Sequence, residues 1–431
     1  MNAASRGGLK ASQGMPLARR PQRAAALLFL ALACTPGAPP DADPGTATQR
    51  VLPGIDVLIE ERLADLDGRR VGLITNHTGL TADSVSTIDA LANAPGVELV
   101  ALFGPEHGLR GVAEAGEHVD SAIDSATGLP IRSLYGEARA PTMEMLADID
   151  VFVFDIQDIG TRYYTYVWTM ALAMQAAAEH GKAFIVLDRP NPIGGERVDG
   201  NVLDTAYASF VGLHPVPMRH GMTAGELAGL VNTEFGINAD LTVIPVRGWT
   251  RTMWYDSTAL PWVPTSPNMP SLESAAHYPG TCLFEGTNLS VGRGTAEAFR
   301  HIGAPWLDAG ALVARLNARA LPGVAFDSTS MTPTAPGDGK YDGVLLSALR
   351  FTVTDRGTYD PAASAIIVLE EIRSLHPDEF EFRDAGFDRL AGTDRIRLDL
   401  LAGVPATTIV DAWKPQRDAF LAMRSRYLLY L

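Results

Sequence analysis

Between about Arg50 and Asn201 the chain alternates short apolar runs with helix-like segments, and that alternation leaves few folds open. RVGLITN, VELVALF, IRSLYG, DVFVFDI and AFIVLD read as strands. STIDALANA, PTMEMLADI and YVWTMALAMQAAAEHG read as the intervening helices, the last expected to be amphipathic and ended by Gly181. Such alternation implies an α/β class, a mostly parallel sheet with helices on both faces. Past about Asn201 the pattern changes. TAGELAGLVNTEFG is a helix with Thr223 as N-cap and Glu226 completing a capping box. Next come strand LTVIPV, a loop-rich run with Trp249, Trp254 and Trp262, and the glycine-rich EGTNLSVGRGT. The tail then offers helix WLDAGALVARLNAR, the run KYDGVLLSALRFTVTD, helix PAASAIIVLEEIRSLHP and one long closing helix from about Thr407. At 431 residues two domains are expected, 51–205 carrying the parallel sheet and 206–431 forming a smaller α+β domain.

The loop after each strand is more informative than the strand itself. RVGLI leads into Thr75, Asn76, His77, Thr78 and Gly79; VELVALF leads into Gly104, Pro105, Glu106, His107 and Gly108. DVFVF leads into Asp155, Gln157, Asp158, Gly160, Thr161 and Arg162, and AFIVL into Asp188, Arg189, Pro190, Asn191 and Pro192. Ligands of open parallel sheets bind at the carboxyl edge. The four loops are therefore expected to converge on one cleft between the two domains.

Composition narrows the partners. The formal net charge is −15, and removing the five basic residues of 1–34 takes it to −20. So acidic a chain has no overall attraction for nucleic acid or anionic lipid, and an anionic substrate would need local arginines. Arg19, Arg20 and Arg23 precede the apolar run AAALLFLALA, Cys34 and a Pro-rich linker over 35–50. Residues 1–34 therefore read as an export signal, too short for a permanent membrane helix, with Met1 and Met15 as alternative starts. Leu32-Ala33-Cys34 resembles a lipoprotein cleavage box, although Ala31 stands where leucine is usual. The expected location is outside the cytoplasm, periplasmic or anchored at the outer membrane through lipid on Cys34. The only other cysteine is Cys282, so the mature chain holds no intramolecular disulfide.

Individual residues carry competing readings. Glu106, on a glycine-bracketed turn beside Phe103, suits a general acid or a turn acid capping a helix. His107 suits substrate binding or a structural role. Asp155 and Asp158 suit paired-carboxylate glycoside hydrolysis, cation ligation with His77 and His107, or strand-end ion pairing with Arg162 or Arg189. Tyr163, Tyr164 and Tyr166 can stack on a sugar or pack a helix start. Asp188, Arg189 and Asn191 form a rigid polar turn that can hold substrate or close on itself. Glu285, Asn288 and Arg293 sit on the glycine-rich loop. GxxxxGK[ST], GxGxxG, GxSxG, HExxH and zinc-type Cys/His spacing are all absent, so no cofactor and no metal is expected.

Taken together, GLITNHTG, FGPEHGLRG, FDIQDIGTRYYTY, LDRPNPIGG, HPVPMRHGMTAGELA, SPNMPS and EGTNLSVGRGT resemble, in order from about Val51 to Leu431, the exo-β-N-acetylmuramidases of the NamZ type. The resemblance implies a Rossmann-like domain followed by a smaller C-terminal domain, and removal of N-acetylmuramic acid from non-reducing ends of peptidoglycan fragments. It matches the family's proposed catalytic glutamate to Glu106 and carries over Asp155, Asp158, Asp188 and Arg293 only as motif members lining the cleft; on the leading reading Glu106 is the general acid and Asp155 or Asp158 positions water or steadies the transition state. The residues expected around the substrate are Asn76, His77, His107, Arg162, Tyr164, Asp188, Arg189, Asn191, Asn268, Glu285, Asn288 and Arg293. Arg110, Arg162, Arg189, Arg219 and Arg293 are the candidates for holding the lactyl carboxylate, since a guanidinium fork matches it. Two departures touch the glycine-rich loop: Val291 stands where an acid is common, and AEAF at 296–299 lacks an expected proline. The competing class is a non-catalytic lipoprotein that binds muropeptides or sugars.

Overall fold

The computed structural model describes residues 50–110, 122–136 and 138–431. The export segment, Cys34, most of the linker, and Glu114, Glu117 and His118 lie outside them. The first strands are β1 (Arg70–Thr75), β2 (Glu98–Gly104), β3 (Ala122–Ile123), β4 (Pro130–Ser133), β5 (Val151–Asp155) and β6 (Ala183–Leu187). A ribbon of β7 (Asp199–Val202) and β8 (Pro217–Arg219) comes next, then β9 (Asp240–Ile244). Seven of these form one sheet in the order β3-β4-β2-β1-β5-β6-β9, parallel except for the edge pair β3 and β4. Counting the six parallel strands along the chain, their order is 3-2-1-4-5-6. That is the doubly wound arrangement, with its topological switch point between β1 and β5.

The apolar runs are strands because both faces of the sheet are covered. On β5, Phe152 and Phe154 face one core while Val151 and Val153 face the other. The phenylalanine face is the larger. It continues through the helices Tyr166–Glu179, Ala224–Glu234, Leu272–Thr281 and Pro361–Leu375 into a second lobe. There β10 (His301–Ala304), β11 (Val324–Met331) and β12 (Leu346–Val353) form an antiparallel sheet in the order β10-β12-β11.

Four expectations change. The boundary at 205 cuts the sheet, because β9 comes from beyond it. Helix Tyr166–Glu179 is buried on nearly every side rather than amphipathic, with strand β6 and helix Ala224–Glu234 packed against it. The closing helix is two, Ala406–Asp411 and Lys414–Arg424, because Pro415 has no N–H to continue the helical hydrogen bonds of the turn before it. The strands β3, β7, β8, β10 and β11 were not anticipated; several are short, polar or paired only at long range. Among the described residues no helix is long and apolar enough to cross a membrane.

Helices Leu272–Thr281 and Pro361–Leu375 meet closely at Gly280, where a Cβ would stand 1.9 Å from the Pro361 carbonyl oxygen. Gly280→Ala should therefore destabilise by about 3 kcal/mol, since neither backbone can retreat. Thermal unfolding checks this: the melting temperature should fall by several degrees.

Candidate active site

The cavity begins where β2 ends. Gly104 and Pro105 stop the strand, and the Gly108 N–H donates to the Pro105 carbonyl over 2.9 Å. His107 takes φ +68, as the third position of a type II turn demands. The tight turn presents Glu106, only 8% exposed, to a cavity of about 470 Å³. Thr165, which precedes the buried helix Tyr166–Glu179, donates its hydroxyl to Glu106 Oε2 over 2.5 Å rather than capping that helix. The Tyr135 hydroxyl hydrogen-bonds the same carboxylate. Burial, and then the Glu106 charge, push that phenol well above its usual range. Two hydroxyls thus fix the carboxylate's orientation.

Aromatic rings make the walls. Tyr163, Tyr164 and Tyr166 come from the loop after β5, and Tyr278, Phe299 and Phe210 from later segments. The three tyrosines also bind the lobes together. Tyr164 shares a hydrogen bond with Thr265 Oγ1 over 2.5 Å, Tyr166 donates to the Thr265 carbonyl over 2.6 Å, and Tyr163 donates to the Pro279 carbonyl. Asn268, Glu285 and Arg293 also line the cavity, as expected. Glu285 accepts from Arg293 Nε and, over 3.6 Å, from the Cys282 thiol.

Several expected site residues stand elsewhere. Asp155 is wholly buried; it accepts from Arg189 over 2.5 and 2.8 Å and from the Thr87 hydroxyl. It forms the strand-end ion pair and lies off the cavity wall. Arg162 is buried and donates to the carbonyls of Asn201, Val216, Leu390 and Ala391 over 2.8–3.1 Å, with burial lowering its pKa to about 10. Asp188 accepts from Thr223, the Gly225 N–H and Tyr430, the last over 2.5 Å. Asn191 donates to the Met222 carbonyl, and Asn288 bonds the backbone of Glu379 and Glu381. Asn76 accepts from Thr78, and His77 bonds the Pro264 carbonyl. Of the four loops, those after β2 and β5 line the cavity, and the residues described after β1 and β6 make their hydrogen bonds outside it.

Asp158 is intermediate. It stays off the wall, but Tyr164 on the wall feels the charges of both Asp158 and Glu106. Burial raises its pKa to about 7 against the pull of the Gly160 and Ile159 N–H groups. The cation set His77, His107, Asp155 and Asp158 does not assemble. Among the described residues no three His, Cys, Asp or Glu side chains converge on a metal-sized space. Sequence reasoning missed Tyr135, Thr165, Arg139 and Arg389, all on the wall. Tyr135 directly after a strand was the only available signal.

Comparison with known proteins agrees with this geometry. Residues 71–273 match the family model described as exo-β-N-acetylmuramidase NamZ, N-terminal, and residues 276–430 match the corresponding C-terminal model. The chain is 47% identical over 395 residues to the peptidoglycan β-N-acetylmuramidase NamZ of Bacillus subtilis (strain 168), covering 91% of this chain and 95% of that protein. It is also similar to two crystal structures of DUF1343 family proteins from Bacteroides fragilis NCTC 9343. One is 40% identical with a TM-score of 0.83, covering 89% of this chain and 99% of that one. The other is 33% identical with a TM-score of 0.71, covering 88% and 99%.

Two substitutions separate the buried acids. Asp155→Asn should cost about 3–5 kcal/mol, because it strands the buried Arg189 charge; chemical denaturation measures it. For Asp158 the folded pKa of about 7 stands above the ordinary 3.8. The folded state thus holds the proton more tightly, and the associated stability is full below about pH 4 and lost as pH rises to about 7. Asp158→Asn should therefore gain stability relative to the parent across that window, read as a melting-temperature difference that widens with pH.

Proposed function

The chain belongs to the NamZ family of exo-β-N-acetylmuramidases, and from that premise we propose an exported glycosidase that removes terminal N-acetylmuramic acid from non-reducing ends of peptidoglycan fragments during cell-wall turnover. The observation that carries the reading is Glu106, held by two hydroxyls at the mouth of a doubly wound sheet and facing an aromatic cavity. Tyr164 and Tyr278 offer faces on which a sugar ring can lie. A volume of about 470 Å³ suits a substituted amino sugar and part of its neighbour.

In the proposed reaction Glu106 gives its proton to the glycosidic oxygen as the bond to the anomeric carbon breaks, and water supplies the hydroxyl that bonds to that carbon and the proton that restores Glu106. Thr165 and Tyr135 hold the carboxyl in line for that transfer. The other carboxylate on the described wall, Glu285, is committed to Arg293 and Cys282, which supports Glu106 as the acid. The basic and apolar segment before Cys34 supports export, with a lipid on that cysteine anchoring the enzyme at a membrane surface.

Glu106→Gln should cut release of 4-nitrophenol from 4-nitrophenyl N-acetyl-β-muramide by at least about a thousandfold while the circular dichroism spectrum stays that of the parent. Undiminished turnover would sink the assignment of the acid. Tight binding of muropeptides by the parent without product over long incubation would instead indicate a binding lipoprotein. Cys34→Ala should abolish incorporation of labelled palmitate in cells and move the protein to the soluble fraction.

A further inference from the structure

The lactyl carboxylate is what distinguishes muramic acid from glucosamine, and the arginines that the sequence suggested for it are all committed. Arg162 is taken up by four carbonyls, Arg189 by Asp155, and Arg219 by Asp199 over 3.1 Å within the core. Arg110 pairs with Asp124 over 3.0 Å and is not on the cavity wall. Arg293 is on the wall but neutralised by Glu285.

Two other guanidiniums reach the cavity. Arg139 lies on the first lobe between β4 and β5, over the Phe210 ring at 4.5 Å and 5.8 Å from that of Tyr135. Stacking fixes the plane of the guanidinium and leaves its N–H edge for a ligand. Arg389 lies in the last turn of the helix Asp384–Ala391 of the second lobe. The carbonyls that end this helix, Leu390 and Ala391, are the ones Arg162 grips, so the backbone beneath Arg389 is anchored. Among the described residues neither arginine has a carboxylate partner, and both charges are felt at the Tyr135 phenol. With Glu285 and Arg293 cancelling, the charges that remain on the described wall are those of Glu106 and the two arginines.

We propose that Arg139 and Arg389 are the specificity-determining pair that reads the lactyl carboxylate, one guanidinium from each lobe. The assignment rests on the muramidase reading. The placement matches the sugar. The lactyl ether leaves the ring at C3, two carbons from the anomeric centre, so its carboxylate must lie close to the catalytic acid. Tyr135 supplies that proximity, bonded to Glu106, 5.8 Å from the Arg139 guanidinium and on the same cavity wall as Arg389.

The test compares 4-nitrophenyl N-acetyl-β-muramide with its lactyl methyl ester, using the full chain and the variants Arg139→Gln and Arg389→Gln. Both arginines are exposed, so folding should be unaffected. Each variant should raise KM for the acid by about tenfold to about a hundredfold, the scale of one lost charge-assisted hydrogen bond. Because the carboxylate is held alike in ground and transition states, kcat should change little. On the ester the parent should lose this advantage and the variants should match it. Parent-like KM on the acid, or an equal loss on acid and ester, overturns the assignment and leaves the muramidase reading standing. Failure of the parent to cleave any muramide removes the reading beneath it.

Discussion

A guanidinium in the protein interior, with no carboxylate to meet it, must be satisfied by neutral oxygens or the fold pays for a bare charge. Arg162 meets that constraint with four carbonyls, two beside the β7–β8 ribbon and two from the end of a helix more than two hundred residues later. Only this arrangement of ribbon, loop and helix supplies all four at once. The loop after β5 that holds Arg162 also holds Tyr163, Tyr164 and Thr165, so satisfying the cation sets one side of the cavity. The same carbonyls locate Arg389 on the other. The walls of the site are thereby tied to the one interaction that cannot be relaxed cheaply.

The parallel sheet was legible because its strands are buried on both faces, and a continuous apolar run as short as VFVF suits little else. The strand order was not, since it depends on which way each crossover turns. The smaller antiparallel sheet escaped detection for a different reason. VAFDSTSM is buried only at Val324, Phe326 and Met331 and looks polar until β12 pairs with it. Pro415 shows the reverse case, a break present in the sequence but outvoted by the helical pattern around it.

In the site, chemistry was legible where a turn forced it. Glycines and a proline around Glu106 announced a constrained acid, and the structure places that acid on the cavity wall. Polar residues at four strand ends looked equivalent, yet two loops face the cavity and two make their hydrogen bonds outside it. Nothing in a loop's composition says whether its hydrogen bonds will be made inward, as with Asp155 and Arg189, or left for a ligand. Arg139 and Arg389 had no signature at all. A surface arginine becomes specific only through what the other lobe brings opposite it.

The Tyr430 hydroxyl, which completes the hydrogen bonds of Asp188 at the end of β6, spans a sequence separation of 242 residues. Asp188 also anchors Thr223 and the first turn of Ala224–Glu234. The middle of the first lobe is thus finished by a residue made 242 positions after Asp188. Such contact order makes folding slow, because a very long loop must close before the contact rewards it. It also makes the fold all-or-none in time: until Tyr430 has left the ribosome, the buried Asp188 carboxylate lacks one of its donors.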